Sequence, residues 1–163
     1  MAGKLKYILI AVLGLLAALF FYNKYRVAPG VDFNKLALFD VEGKPVKWTD
    51  FEGKKMVVSF GASWCPNCLD ELKLINSIKE KELTDVEIIV ISDEELKTVQ
   101  AFKGRKNYSF TFLKMNQTFN SIGVNAIPTI YILNTKLEVK DETVGYIDWH
   151  DLSTVEHLRK LME

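Results

Sequence analysis

The sequence has few of the residues that bind metals or crosslink a chain. It contains two cysteines, Cys65 and Cys68, and two histidines, His150 and His157. A structural zinc site needs four such ligands, usually as two close pairs, and these histidines are too far apart for the usual His pair. A two-thiol copper site stays chemically possible. We expect no bound metal and surface positions for both histidines.

The chain also lacks an excess of either charge. Lys+Arg and Asp+Glu both total 21, so the net charge is zero. Nucleic-acid-binding domains usually carry a basic face, so we expect no nucleic-acid partner. The hydrophobic content of 48% is that of an ordinary globular domain. We expect the protein to be a monomer.

Charge is absent altogether from one stretch near the N-terminus. The segment from Tyr7 to Tyr22 is uncharged and mostly apolar, and lysines and an arginine flank it. About 20 apolar residues span a bilayer, and flanking cations can extend a shorter run by snorkelling. No small-residue cleavage pattern follows the run. We expect residues 1–26 to be an uncleaved, single-pass anchor in the inner membrane, followed by a linker at residues 27–34. The flanking charges lean slightly towards an extracytoplasmic domain.

From residue 35 onwards, strand-like runs alternate with helical patterns. Residues 36–48 predict a β-hairpin around Gly43, and MVVSFGA, VEIIVIS, SFTFLKM and IPTIYIL predict strands. A helix is predicted to start at Asp93 as its N-cap, and another ends the chain. This order predicts an α/β domain at residues 35–163, with a mixed central sheet and helices on both faces. Cys65 then follows a central strand, where open α/β sheets usually place their sites.

The cysteine pair in FGASWCPNCLDEL has two further interpretations besides metal binding. A disulfide between Cys65 and Cys68 closes a very small loop, so it stabilises a fold little. A redox dithiol fits better, because a helix N-terminus lowers the pKa of a cysteine and so favours its thiolate. Pro66 suits the first helical turn, and Cys68 is one turn away, within reach of a mixed disulfide on Cys65. Trp64 is placed to cover one side of the sulfurs.

Two motifs together carry a resemblance to a known family. Trp64-Cys65-Pro66-Asn67-Cys68 at a strand–helix junction, with Ala126-Ile127-Pro128-Thr129 before a later strand, resembles the thioredoxin superfamily. The resemblance implies a thioredoxin-like fold in which Pro128 is cis and packs against the dithiol. It also implies that the backbone of Ile127 pairs with the substrate chain. The dithiol itself is the redox centre, so no separate cofactor is expected.

Within that superfamily the chain resembles the membrane-anchored TlpA/ResA-like branch. The anchor, the leading hairpin and Glu71, three residues after Cys68, carry this resemblance. It implies a mainly reducing thiol–disulfide oxidoreductase that acts on disulfides of extracytoplasmic proteins. Cytochrome c maturation is one option. The resemblance also implies that a thiol donor in the membrane reduces the enzyme again after each cycle. Glu71 shares a helix face with Cys68 and could exchange its proton, or it could be a solvated surface residue.

Three departures from the branch qualify that expectation. Ser59 stands where thioredoxin has a buried aspartate, so proton handling falls to Glu71 or water. Gly61 replaces a frequent aromatic, which predicts a more open site on that side, and Lys73 replaces a frequent proline. A disulfide-forming oxidase, a metallochaperone and a redox-inert adaptor remain the alternatives.

Overall fold

The computed structural model describes residues 2–105 and 107–163, and its elements follow the predicted order. Four α-helices and seven strands account for most of the chain. The helices are α1 (Ala2–Arg26), α2 (Pro66–Glu82), α3 (Leu96–Arg105) and α4 (Leu152–Leu161). The strands are β1 (Leu38–Phe39), β2 (Pro45–Val46), β3 (Lys55–Phe60), β4 (Val86–Ser92), β5 (Thr111–Met115), β6 (Thr129–Leu133) and β7 (Val139–Val144).

All seven strands form one mixed sheet in the order β2-β1-β5-β4-β3-β6-β7. The strand β4 pairs in parallel with both β3 and β5, and the remaining pairs are antiparallel. The predicted hairpin is confirmed as the β1–β2 pair. The strand β3, which leads to the cysteines, lies between β4 and β6, and five of its six residues are buried. The site is therefore attached to the interior of the sheet.

The two faces of the sheet have separate cores, as the period of two along a strand requires. Val57, Ile88 and Ile130 point to one face, where α2, α3 and α4 all pack. Val58 and Ile89 point to the other face. The 3₁₀ helices at 33–35, 48–51 and 119–122 cover that second face. Helices therefore cover both faces, as predicted: α2, α3 and α4 pack on one face, and the 3₁₀ helices pack on the other.

The N-terminal helix α1 (Ala2–Arg26) lies within residues 1–26, for which the sequence predicts a membrane anchor. Its 25 residues span about 37 Å at 1.5 Å per residue, which exceeds the roughly 30 Å of a bilayer core. The segment Lys6–Lys24 has a mean hydropathy of 1.8 and none of it is buried in the protein. By length and composition this helix is able to cross a membrane.

The segment after α1, predicted as a linker at residues 27–34, packs against the domain along most of its length. Tyr131 of β6 donates a hydrogen bond from its hydroxyl to the Pro29 carbonyl, at 2.7 Å. Phe33 is 5% exposed, and its ring stacks on Trp48 with centroids 4.4 Å apart. The physical reason is composition, because apolar residues alternate with polar ones here and the second sheet face needs cover.

We predict that Phe33→Ala destabilises the folded domain by about 3–5 kcal/mol, because it removes a buried aromatic ring. The free energy of unfolding of the full chain in detergent is measured by urea titration. Asn34→Ala, at an exposed neighbouring position, is the control and should cost below about 0.5 kcal/mol. Equal, small effects of the two changes would mean that the segment is a free linker.

Candidate active site

The cysteines lie at the junction between β3 and α2. Cys65 is the N-cap of α2, with an extended backbone, and its sulfur accepts a hydrogen bond from the backbone N–H of Cys68 at 3.2 Å. Pro66 occupies the first helical turn, as predicted. The two cysteines are joined as a disulfide. The helix N-terminus therefore directs a backbone donor at the sulfur that would carry the negative charge after reduction.

Both cysteines are buried, and Cys65 is slightly less so than Cys68. Cys65 is 5% exposed, whereas Cys68 is fully buried. The site is not more open at Gly61, contrary to the expectation from its missing aromatic. A Cβ atom on Gly61 would lie 3.3 Å from the Cys68 Cβ and 3.4 Å from its Sγ. The backbone itself packs against Cys68 there, which closes that side.

The loop before β6 packs against the disulfide. The Ile127–Pro128 peptide bond is cis, as the resemblance implies. The Ile127 carbonyl oxygen is 3.9 Å from the Cys65 sulfur. The backbone N–H of Gly145 donates to the Pro128 carbonyl at 2.8 Å, which ties the loop to the end of β7. Trp64, directly before Cys65, is 69% exposed and borders a cleft that Ala126 and Ile127 also line.

Glu71 is buried beside the disulfide and is not a solvated surface residue. It is 1% exposed and is the one carboxylate among the fully buried polar residues of the described chain. Its Oε1 accepts a hydrogen bond from the indole N–H of Trp149. Its Oε2 is buried and has no hydrogen-bond partner among the described residues. Glu71 also borders a cleft of about 410 Å³ that is lined by Asn67, Asp70, Ile127, Pro128, Gly145 and Tyr146 among others.

The environment of Glu71 shifts its protonation towards neutral pH. Burial raises the pKa of Glu71 from 4.5 to about 7, because a charged carboxylate is poorly solvated there. The hydrogen bonds from the Trp149 indole and the Ile147 backbone lower that pKa in part. A carboxyl that changes charge near pH 7 suits proton transfer at physiological pH.

Two acidic side chains, Glu94 and Asp93, accept hydrogen bonds from the loops near the cysteines. Glu94 accepts hydrogen bonds from the Ser63 backbone N–H at 2.7 Å and from the Ser63 hydroxyl at 2.8 Å. Asp93 accepts from the Phe119 backbone N–H at 2.9 Å, and α3 begins only at Leu96. The prediction that Asp93 caps this helix is therefore wrong, because its side chain accepts a hydrogen bond from the segment after β5 instead.

The histidines lie apart from this site. His150 and His157 are both exposed, which confirms their predicted surface positions. Within residues 2–105 and 107–163, no three His, Cys, Asp or Glu side chains are grouped closely enough to hold a metal ion.

A mixed sheet, a dithiol at a helix N-terminus and a cis proline beside it define a thioredoxin-like fold with a redox-active cysteine pair. The sequence profile of the Redoxin family matches residues 27–159. The chain belongs to this family, as a TlpA/ResA-like protein of the thioredoxin superfamily.

Named relatives agree with that assignment. The chain is 30% identical over 160 residues to the thiol-disulfide oxidoreductase ResA of Geobacillus thermodenitrificans, which covers 94% of this chain and 90% of the relative. It is 26% identical to ResA of Bacillus subtilis, over 77% of this chain and 72% of the relative. A putative thiol:disulfide interchange protein DsbE from Chlorobium tepidum has the same fold, with a TM-score of 0.66 and 18% identity over 82% of this chain and 97% of that chain.

The protein is a thiol–disulfide oxidoreductase that uses its own cysteines. Proteins of this class act on disulfide-bearing substrate proteins, and Cys65 and Cys68 are the only cysteines in the sequence.

We predict that Glu71→Gln stabilises the protein above pH 7 and changes little below pH 5. The pKa of Glu71 is raised on folding, so its contribution to stability is complete below about pH 4.5 and is lost as the pH rises through about 7. The free energy of unfolding at pH 5 and pH 8 should differ by roughly 2–3 kcal/mol more in the wild type than in the variant. Glu80→Gln, exposed on the same helix, is the control. The same pH dependence in wild type and Glu71→Gln would contradict the shifted pKa.

Proposed function

We propose that the protein is a membrane-anchored reductase of disulfides in extracytoplasmic proteins. The observation that carries this proposal is the Cys65–Cys68 disulfide at the N-terminus of α2, with a backbone N–H directed at the Cys65 sulfur. The relatives named ResA favour the same activity. Apocytochrome c is one possible client, since the ResA-like branch includes proteins of cytochrome c maturation.

In the first step, the Cys65 thiolate of the reduced enzyme attacks a sulfur of the client disulfide. A new S–S bond forms between Cys65 and the client, and the second client sulfur leaves as a thiolate. Cys65 is the nucleophile because it caps α2 and its sulfur accepts a hydrogen bond from the Cys68 N–H, which stabilises the thiolate, and because Cys65 is the less deeply buried residue of the pair.

In the second step, Cys68 resolves the mixed disulfide. Its thiol gives a proton to the Glu71 carboxylate, and the resulting thiolate attacks Cys65. The Cys65–Cys68 bond forms, the bond between Cys65 and the first client sulfur breaks, and that sulfur leaves as a thiolate, so that both client cysteines are reduced. Glu71 is placed for this role because it lies one helical turn from Cys68 and has a pKa of about 7.

The client chain is held beside the disulfide by two features. The backbone of Ile127, which precedes the cis proline, pairs with the extended client chain, since its carbonyl is next to the Cys65 sulfur. Trp64 offers an exposed aromatic surface at a cleft that it shares with Ile127. Both residues are therefore proposed substrate contacts.

We propose that α1 is the membrane anchor and that the catalytic domain lies outside the cytoplasm. Its length and hydropathy support a single membrane crossing, and its flanking charges slightly favour this orientation. After each cycle, a thiol donor in the membrane would reduce the Cys65–Cys68 disulfide again.

We predict that Cys65→Ser abolishes reduction of insulin disulfides, because it removes the attacking sulfur. Cys68→Ser should retain the first step and accumulate mixed disulfides with natural clients, which are then identified by mass spectrometry. The double variant is the control and should trap nothing. Equal insulin reduction by wild type and Cys65→Ser would contradict the nucleophile assignment. No insulin reduction by either protein would favour a metallochaperone or a redox-inert adaptor.

The direction of electron flow is tested by the reduction potential of the Cys65–Cys68 pair. We predict a value nearer to the roughly −270 mV of thioredoxin than to the roughly −120 mV of an oxidase such as DsbA. The potential is measured by equilibration with glutathione buffers and alkylation of the two thiols. A value near −120 mV would favour the disulfide-forming oxidase instead.

A further inference from the structure

Trp149 is a buried residue that the dithiol chemistry described above does not use. It lies in the segment between β7 and α4 and is fully buried among residues of α2 and α4. An indole carries one polar group, the N–H, which is a donor only. In this protein the indole N–H donates a hydrogen bond to Glu71, which lies 78 positions away in the sequence.

The hydrogen bond is selective for one oxygen of the carboxyl group. Trp149 donates to Oε1, whereas Oε2 has no partner within hydrogen-bond distance among the described residues. The Ile147 backbone N–H is a second donor at the carboxyl group. Oε2 is therefore the more weakly hydrogen-bonded oxygen and the one better able to accept a proton. The indole therefore orients the group as well as stabilising its charge.

The other titratable groups around Glu71 come from two elements. On α2 they are Asp70, which borders the same cleft, and Cys68. After β7 they are Tyr146, also at the cleft, and Asp148. The loop Ala126–Pro128, the third element at the cleft, has no titratable side chain. None of these groups shifts the pKa of Glu71, either by its charge or by a hydrogen bond.

We propose that Trp149 is a positioning residue for Glu71: its indole N–H holds Oε1, leaves Oε2 as the proton-exchanging atom, and sets the pH at which the exchange occurs. This proposal rests on the proposed role of Glu71 in resolution by Cys68. It needs no further reactant, because the proton moves from the Cys68 thiol to Oε2 and the indole keeps its own proton.

The first test observes the indole in the unaltered protein. The full chain in detergent, labelled with ¹⁵N-tryptophan, should give three indole signals, because the sequence has three tryptophans. With the Cys65–Cys68 disulfide intact, neither cysteine titrates, so the Trp149 signal should shift with a midpoint near pH 7. The shift should vanish in Glu71→Gln. A Trp149 signal that does not change between pH 5 and pH 9 overturns the proposal.

The second test removes the donor and keeps an aromatic ring. In Trp149→Phe, the pH midpoint of mixed-disulfide resolution should move upwards by about one unit, because the charged carboxylate loses a hydrogen bond. The matched control is Trp48→Phe, since Trp48 is also a buried tryptophan but its N–H has no partner among the described residues. The control should leave the midpoint in place.

The outcomes separate this proposal from the proposed function. An unmoved midpoint in Trp149→Phe, or an equal movement in Trp48→Phe, overturns the positioning role. Should Trp149→Phe fail to fold, the indole titration in the wild type still decides. Normal resolution by Glu71→Gln, with an indole signal that titrates in the wild type, would instead remove Glu71 from the catalytic cycle.

Discussion

The hydrogen bond from the Cys68 N–H to the Cys65 sulfur is the constraint on which the site depends. It exists because Cys65 caps α2, and Cys65 caps α2 because β3 ends in the sheet interior just before it. The surrounding contacts keep this turn in place. Glu94 holds Ser63 on one side, and the Gly61 backbone packs against Cys68 on the other. The chemistry of the sulfur is thus determined by how the strand and the helix are joined.

Features that depend on neighbouring residues could be predicted from the sequence. The strand runs, the hairpin and the Cys-Pro-Asn-Cys turn are local patterns, and the Ile127–Pro128 loop was assigned through resemblance. Contacts between distant residues were not predicted. Trp149 reaches Glu71 across 78 positions, and Glu94 reaches Ser63 across 31. No periodicity or motif relates such pairs, because the sheet order brings them together.

Burial distinguishes Glu71 from its acidic neighbours on α2. Asp70 beside it and Glu80 further along are exposed, so water solvates their charge. Glu71 lies against the sheet core and has two hydrogen-bond donors. A charged form that costs free energy in the folded state is retained when it performs a function that a neutral side chain cannot.

The docked segment after α1 limits how the catalytic domain is presented. Three peptide steps separate Arg26, where α1 ends, from Pro29, which Tyr131 holds, and they span at most about 10 Å. With α1 in a bilayer, this short connection keeps the domain close to the end of its anchor. The domain would then diffuse laterally with the anchor, and its redox centre would stay near the membrane surface. The domain would then meet its clients by diffusion in two dimensions, and it would act on disulfides that come close to the membrane surface.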